Sequence, residues 1–300
     1  MNFEQLRDLI NCHSGEHRPI RLRFPAQHSH LQAQLIVRRV EGSEAVCGSS
    51  SYRIGCLSNT SGIALSDFIA VPVELQFVTD RGRLASVCGI IDSAAEGDSD
   101  GGFATYQFTL RDALSIMERR TNTRVFLRHN EMDITHVLVG EWKRSNAILG
   151  SCFALEVLCR RDAYPPSEFI MQYNETDAAF LRRLWKRRGI AWKFGPSAPD
   201  PRNDTPSHTL TLFDDPCTLS ENSAGAVRYH RPGGVEQRDC VRNWTQTRTL
   251  QSGTVNRAAW HLPSATLVKA ARDSEADLGR LERQLSGSLD DHVIDTPGVV

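Results

Sequence analysis

The stretch YPPSEFIMQYNETDAAFLRRLWKRRGIAWKF, residues 164–194, decides the fold that this sequence predicts. Its prolines, Pro165 and Pro166, end any preceding element, because proline lacks a backbone N–H and has a fixed φ. The apolar run 169–173 has the length and the residue types of a β-strand. A helix and a second strand follow it, so the stretch predicts a break, a strand, a helix and a strand.

The helix of this stretch is marked by signals at both ends. Asn174 or Thr176 can cap its N-terminus, and Asp177 lies in its first turn. Gly189 is placed to end it at the C′ position, and Ile190 can make the hydrophobic contact that accompanies such an end. One face carries apolar residues at helical spacing, namely Phe180, Leu181, Leu184 and Trp185. Beyond Gly189, the alternating segment 190–194 predicts a strand with one buried face.

Much of the remaining chain alternates between apolar and polar residues over short segments, which predicts β-strands. These segments are 20–24, 35–40, 52–57, 71–78, 83–91, 103–110, 153–159, 208–213, 239–250 and 254–260. The turn 80–82 predicts that 71–78 and 83–91 form a hairpin. Helices are predicted at 3–10, from 110 to near 119–121, at 133–140 and at 273–285, with 133–140 making one or two turns. The glycine-rich segment Ala95 to Gly102 predicts a loop. The fold is therefore expected to be mainly β, of barrel or sandwich type, with an α+β insert.

Composition describes an ordinary globular protein. The 300 residues are 40% hydrophobic and 24% charged, with a formal net charge of -1, and this length favours two domains. A charge near zero gives no overall attraction to nucleic acid or to an anionic membrane. The first residues lack the basic and apolar regions of a signal peptide, and no apolar run approaches the ~20 residues of a membrane span. We therefore expect assembly in the cytoplasm without stable membrane insertion.

Cysteine and histidine spacing argues against metal sites and disulfides. The eight cysteines form no CxxC, so reduced thiols are the favoured interpretation. Cys152 and Cys159 fall in an apparent strand and are expected to be core thiols. The N-terminal region contains residues that could hold zinc, namely Cys12, His13, His17, His28 and His30. Their spacing matches no established closed zinc site, so solvated side chains are the favoured interpretation. No metal and no cofactor are expected.

Catalytic motifs are absent from the sequence. There is no GxSxG, HExxH, SxxK or GxGxxG and no P-loop. The residues alone therefore predict a protein without a visible active site. A hydrolase remains the alternative of a different class.

A basic run within the predicted helix offers a third hypothesis, a surface for nucleic acid or for an acidic partner. The solvated face of an amphipathic helix is the favoured interpretation, because Arg183 and Arg187 share a side opposite Phe180 and Leu184. No aromatic residues interleave the run as base stacking would require. Its members are Arg182, Arg183, Lys186, Arg187 and Arg188.

The opening stretch resembles the VgrG family, the trimeric spike proteins of the type VI secretion system, which are related to phage baseplate hub proteins such as tail protein D. The resemblance is carried by Tyr164, Pro165, Tyr173, Asp177, Phe180, Leu184, Gly189 and Ile190. Three further landmarks resemble the family in the same order. They are the hairpin 71–89, the strand–helix–strand segment 106–126, and residues 229–234 with the strand that follows.

The resemblance implies two β-barrel-like domains of the phage baseplate hub type. Residues 1–18 would be an N-terminal extension, 19–163 the first barrel-like domain and 164–255 the second, α+β, barrel-like domain. Residues 256–300 would return to the first barrel. The spike that follows the hub in this family is not represented in the sequence, which leaves both a fragment and a short natural protein open.

The resemblance also implies a structural function without catalytic residues. The chain would form a homotrimer that adapts the hexameric Hcp tube to the trimeric spike tip of the type VI secretion system. Its partners would be itself, the Hcp-type tube protein, other baseplate components, and effectors carried through the missing C-terminal part. The particle would be expelled into the medium or a target cell. The alternative within this class is the hub of a contractile phage tail.

Overall fold

The computed structural model describes residues 19–78, 84–99, 102–160, 163–198, 202–221, 226–229, 240–241, 243–247, 254–261 and 264–273. The predicted helices 3–10 and 273–285, apart from Asp273, lie outside these residues, as do the turn 80–82 and the N-terminal Cys12, His13 and His17. Within the described part of the chain, no helix is long and apolar enough to cross a membrane.

The first body is an antiparallel sheet of six strands. Its strands are β1 (Ile20–Arg23), β2 (Ile36–Ser43), β3 (Ser51–Ser58), β4 (Pro72–Val78), β5 (Leu84–Ser99) and β6 (Ala104–Arg111), with the short helix α1 (Ser29–Gln32) after β1. Their order in the sheet is β1-β4-β5-β6-β3-β2. The edge strands β1 and β2 also contact each other, so the sheet curls into a half-barrel. The strands predicted in this region are confirmed, and Pro72 is the first residue of its strand.

Strand β5 corrects part of one prediction, because residues 95–99 of the loop predicted for Ala95 to Gly102 belong to the strand. The strand continues to Ser99 and pairs with β6, with Glu96 opposite Tyr106. The Glu96 carboxylate accepts hydrogen bonds from the Tyr106 hydroxyl at 3.1 Å and from the Gly62 backbone N–H at 2.8 Å. The polar residue Glu96 therefore stabilises the strand through hydrogen bonds. Composition alone does not reveal such contacts, and it predicted a loop.

The second body combines helices with two small sheets. Its elements are α2 (Ala113–Met117), β7 (Thr121–His129), α3 (Glu131–Ser145), α4 (Ala147–Cys152), β8 (Phe153–Val157), β9 (Ser167–Thr176), α5 (Asp177–Arg187), β10 (Ala191–Pro196) and β11 (His208–Phe213). Strands β7 and β9 form an antiparallel ribbon. Strand β11 pairs with β10 on one side and runs parallel to β8 on the other.

Helix α3 is longer than the one or two turns predicted for 133–140. Asn130 and Asp133 form a capping box at its start, and Asn146 both ends it and caps α4. Its buried face includes Glu131 and Thr135 besides apolar residues. These polar residues interrupt the apolar period from which the helix was predicted.

The C-terminal part consists of two strand pairs. Strands β12 (Arg228–Tyr229) and β13 (Cys240–Val241) are parallel, and β14 (Thr254–His261) forms an antiparallel pair with β15 (Thr266–Asp273). The strand predicted at 254–260 is confirmed. The long strand predicted at 239–250 is wrong, because residues 243–247 are not in a strand.

Two hydrophobic cores lie on opposite sides of the half-barrel sheet. Neighbouring residues on β5 separate them, since Ile91 belongs to the core of the half-barrel and Ile90 to that of the second body. The buried residues of the first core end at Leu110 along the chain. Those of the second core, apart from Ile90, all lie from Ala113 onward. The predicted domain boundaries, including the one at 163/164, and the return of residues 256–300 to the first barrel stay predictions.

Hydrogen bonds join the two bodies at β10. The Trp192 indole N–H donates to the Gly48 carbonyl at 2.9 Å, and the Trp192 carbonyl accepts from the Cys47 N–H at 2.8 Å. Because Trp192 is fully buried in β10, these two bonds hold the connection between β2 and β3 of the half-barrel against the second body. Within the second body, the Ala113 N–H donates to Nε2 of His208 at 3.0 Å, which ties the start of α2 to β11.

Helix α5 begins and ends as the sequence predicted. The Thr176 hydroxyl accepts from the Ala179 N–H at 3.2 Å, which makes Thr176 the N-cap. At the other end Gly189 has φ +70°, and the Ile190 N–H donates to the Trp185 carbonyl at 2.9 Å. This pattern is a Schellman motif, in which a residue in the left-handed conformation ends the helix, and β10 follows directly.

Replacing Gly189 by alanine tests this helix end. The positive φ strains a residue with a Cβ, so we expect Gly189→Ala to lower the free energy of unfolding by about 1 kcal/mol. Gly195→Ala is the matched control, because a Cβ at Gly195 meets nothing within 4 Å and its φ is not positive. Urea unfolding followed by tryptophan fluorescence measures both. Equal effects of the two changes would contradict the assignment.

Candidate functional site

A buried carboxylate, Asp177, is the centre of a polar cluster in the second body. It lies at the first position of α5 and is fully buried, although the sequence indicated only a first-turn acid. Its backbone N–H donates to the Arg120 carbonyl at 3.0 Å, which ties the helix start to the segment before β7. The cluster therefore sits where α5 meets the β7/β9 ribbon.

Five side chains donate hydrogen bonds to the Asp177 carboxylate. Oδ1 accepts from Asn122 Nδ2 at 3.1 Å, Arg124 Nη2 at 3.1 Å and Gln172 Nε2 at 2.9 Å. Oδ2 accepts from Arg120 Nε at 2.6 Å and Trp142 Nε1 at 2.9 Å. Because these donors occupy both oxygens, the carboxylate has no room to take a proton from a substrate or to bind a metal ion.

A second carboxylate completes the network. Nη1 of Arg124 donates to both carboxylate oxygens of Glu141 on α3, at 2.8 and 3.1 Å, and Arg120 also donates to Glu141, at 3.3 Å. The Arg120 guanidinium lies 4.3 Å from the centre of the Trp142 ring, a cation–π contact. Two arginines thus face two carboxylates, and the buried charges are compensated.

The pKa of the Asp177 carboxyl reflects this compensation. Burial by itself acts to raise the pKa, but the hydrogen bonds that the carboxylate accepts, led by the one from Gln172, outweigh it. The pKa therefore lies below its ordinary value, and Asp177 stays ionised in the folded protein.

The residues that carry the family resemblance separate into buried and exposed sets. Asp177, Phe180, Leu184 and Ile190 are buried in the second body, and Phe180 stacks on Phe126 with ring centres 5.7 Å apart. Tyr164 is buried too, and its hydroxyl donates to Asp214 at 3.0 Å. Pro165 and Tyr173 lie at the surface and are not brought to this cluster. Their role as a structural motif stays a prediction.

Sequence reasoning missed the partners of Asp177. Arg120, Arg124 and Trp142 lie between 35 and 57 residues away along the chain. Local patterns carry no signal for such pairs. Only the register of β7 against β9, which places Arg124 opposite Gln172, would have indicated that Arg124 is a partner of Asp177.

The basic run is not the solvated face that the sequence favoured. Arg187 and Arg188 both donate to Glu131, at 3.0 and 2.7 Å, and their side chains are only 13% and 12% exposed. Arg183 pairs with Glu175, and Arg182 pairs with Glu118. Arg183 also lies 5.2 Å from the Phe180 ring centre rather than opposite it. Four of the five cations are thus engaged within the chain, which leaves little charge for nucleic acid.

Metal-binding and redox chemistry find no support in the described residues. They contain no group of three or more histidine, cysteine or acidic residues that could hold a metal ion, and His28 and His30 belong to no such group. The cysteines of this part of the chain are free thiols. Cys152 and Cys159 are buried as predicted, and burial raises the pKa of the Cys152 thiol to about 12.

A cavity of about 560 Å³ opens on the half-barrel. Arg38, Arg39 and Arg53 line it together with Glu41 and Glu96. Arg39 is paired with Glu41, and Glu96 accepts hydrogen bonds from Tyr106 and Gly62. The cavity therefore mixes both charges and lacks the convergent buried groups of a small-molecule site.

His208 is a buried titratable group at the start of β11 in the second body. Its Nε2 accepts from the Ala113 N–H, so the ring proton is on Nδ1, and the ring packs between Phe153 and Phe194 with centres 5.6 and 5.7 Å away. Burial lowers the pKa of His208 to about 4. The imidazole is therefore neutral at physiological pH and acts as a hydrogen-bond acceptor for the start of α2.

A comparison with protein families matches residues 43–290 to the family described as phage tail baseplate hub (GPD). The chain is 28% identical to the type VI secretion system spike protein VgrG1b of Pseudomonas aeruginosa strain PAO1 over 232 residues, which cover 76% of this chain and 29% of that protein. With VgrG3 of Vibrio cholerae it shares 26% identity over 226 residues, covering 72% and 21%. The chain thus spans less than a third of the length of these relatives.

Solved structures show the same fold. The Escherichia coli c3393 protein, described as a type VI secretion component similar to the T4 tail proteins gp27 and gp5, matches with a TM-score of 0.51 and 21% identity, over 70% of this chain and 52% of that one. The VgrG complex with PdpA from Francisella, half-lidded, matches with a TM-score of 0.50 and 12% identity, over 92% and 45%. At these identities the likeness concerns the fold alone.

Replacing Asp177 by asparagine tests the buried network. The change removes the charge that compensates Arg120 and Arg124, so we expect Asp177→Asn to cost about 3–5 kcal/mol of unfolding free energy. Glu175→Gln is the matched control two residues away, because its pair with Arg183 is partly exposed and is worth about 1 kcal/mol or less. Chemical denaturation at neutral pH measures both. A cost for Asp177→Asn no larger than the control would refute the central role of this carboxylate.

The pH dependence of stability tests His208. Its folded pKa of about 4 lies below the ordinary value of 6.5. The contribution of His208 to the free energy of unfolding is therefore fully present above pH 6.5 and is lost as the pH falls toward 4. The loss should reach about 3 kcal/mol. In His208→Gln, which does not titrate, the fall in unfolding free energy between pH 6.5 and 4 should be smaller by this amount. Parallel curves for the variant and the wild type would show that His208 is not the group responsible.

Proposed function

Because the chain belongs to the phage tail baseplate hub family, we propose that it is the hub of a type VI secretion spike. The observation that carries this proposal is the extent of the family match, since residues 43–290 run through the half-barrel and the second body alike. Its relatives VgrG1b and VgrG3 are spike proteins by name. The function we assign is structural.

The two-body architecture supports a role in matching symmetries. Each chain has two β-rich bodies, so three copies in a closed ring place six such bodies around one axis. A ring of this kind can meet a hexameric tube protein of the Hcp type on one side and a threefold spike on the other. We therefore infer a homotrimer that adapts the hexameric tube to the trimeric spike tip.

The same role implies the remaining partners and the location. Other baseplate components would contact the ring, and effectors would be carried by the spike. The protein would be assembled inside the bacterium and expelled with the spike. The PdpA–VgrG complex shows that a protein with this fold is found with a further protein component.

An enzymatic function has less support. Asp177, the most buried acid of the polar cluster, is saturated by donors, and the actin cross-linking toxin VgrG1 of Vibrio cholerae matches this chain over only 16% of its own length. That activity is therefore not assigned to this chain. The second candidate function is the hub of a contractile phage tail, which the family description favours.

The oligomeric state of the full-length protein tests this proposal. We expect light scattering after size-exclusion chromatography to give the mass of three chains. When a purified hexameric tube protein of the Hcp type is added, electron microscopy should show the trimer at one end of the tube rings. A full-length protein that remains monomeric would refute the proposed function, and capping of a phage tail tube instead would favour the second candidate.

A further inference from the structure

The β7/β9 ribbon exposes an apolar face that has no partner in the described structure. Two of its members, Leu127 and Tyr173, are 60% and 71% exposed, and Val125 and Phe169 are each 47% exposed. Together with the partly buried Met171 they form what we call the outer stripe, consisting of Val125, Leu127, Phe169, Met171 and Tyr173.

Strand pairing gathers these residues into one patch. Leu127 is directly opposite Phe169, and Val125 is opposite Met171, so cross-strand neighbours touch along the ribbon. The alternate residues Phe126 and Ile170 point into the core. An antiparallel ribbon with one face in water normally alternates apolar and polar residues. Here the outer face carries a run of apolar residues where polar ones are expected, which indicates that this face is covered in the working protein.

The size and chemistry of the outer stripe fit a protein interface. Side chains of this size and exposure present on the order of 400 Å² of apolar surface, as large as the biggest patch on a typical monomer. All five are uncharged, and interface cores are depleted of charge and rich in tyrosine, phenylalanine and methionine. The neighbouring acid Glu175 is neutralised by Arg183.

The outer stripe is also held rigid from behind. Arg183 donates to the Met171 carbonyl at 2.9 Å, which fixes the free edge of β9 to α5. Phe126 stacks on Phe180, and Arg124 and Gln172 of the ribbon belong to the Asp177 network. A preformed surface loses little conformational entropy on association.

We propose that the outer stripe is the surface through which one copy of this chain packs against the next in the ring. The inference rests on the proposed function and names the surface involved. A stable interface needs about 800 Å² from each partner, and the stripe supplies roughly half of that as apolar core. Permanent contacts between identical chains are more apolar than contacts between different proteins. This composition favours a second copy over the tube protein as the occupant.

Carboxylates in the outer stripe test the proposal in the full-length protein. In the double variant Leu127→Glu/Phe169→Glu, two facing charges would be buried in the contact. We expect this variant, compared with the wild type, to raise the concentration at which half the trimer dissociates about tenfold or more. Val46→Glu is the matched control, because Val46 is 64% exposed and lies on the other body, outside the stripe. Light scattering over a dilution series measures all three proteins.

A second variant keeps the test independent of folding. The double variant Leu127→Thr/Phe169→Thr retains β-forming residues while it removes most of the apolar surface. We expect its trimer to dissociate at a higher protein concentration than that of the wild type. The melting temperature of the dissociated chain should be unchanged. The proposal is overturned if the variants stay trimeric like the control. It is also overturned if they lose only tube binding, or if they lower the melting temperature without affecting the trimer. A wild-type protein that never forms a trimer would instead refute the proposed function itself.

Discussion

The second body depends on the compensation of one buried negative charge. Asp177 is fully buried at the start of α5, where five side chains and the local backbone hold it. An unpaired carboxylate in this position would cost several kcal/mol, so the network forms as a unit or not at all. Because its donors come from β7, β9, α3 and the segment before β7, forming it fixes the ribbon, the two long helices and their mutual orientation.

Local chemistry explains what could be predicted from the sequence. The N-cap Thr176, the apolar face of α5 and the left-handed Gly189 act within a few residues, and the structure has all three. The alternating strands of the half-barrel were predictable for the same reason. Tertiary contacts explain the rest. Glu131 is buried in α3 because two arginines from the end of α5 reach it, and Glu96 prolongs β5 because Tyr106 and Gly62 donate to it.

The candidate site was predictable in position but not in character. Asp177 was singled out as a helix-start acid, whereas the structure makes it the centre of a charge network. The basic run lies on the same helix, and its arginines serve acids of the same chain. These paired charges suit a rigid component of an assembly better than a catalyst, since the Asp177 carboxylate and four cations of the basic run are already engaged within the chain. Surfaces that carry function in such a protein are then apolar, like the face of the β7/β9 ribbon.

The order of the strands along the chain allows the half-barrel to fold before the second body is fully synthesised. All strands of the half-barrel lie between Ile20 and Arg111, so it can form on the ribosome as soon as that segment has emerged. In the second body, β8 pairs in parallel with β11, and nothing closes that sheet until Phe213 is available. Until then, the nascent chain carries β8 and β10 without their common partner strand β11. The second body is therefore the part for which a chaperone, or a slow passage of the ribosome before β11, matters most.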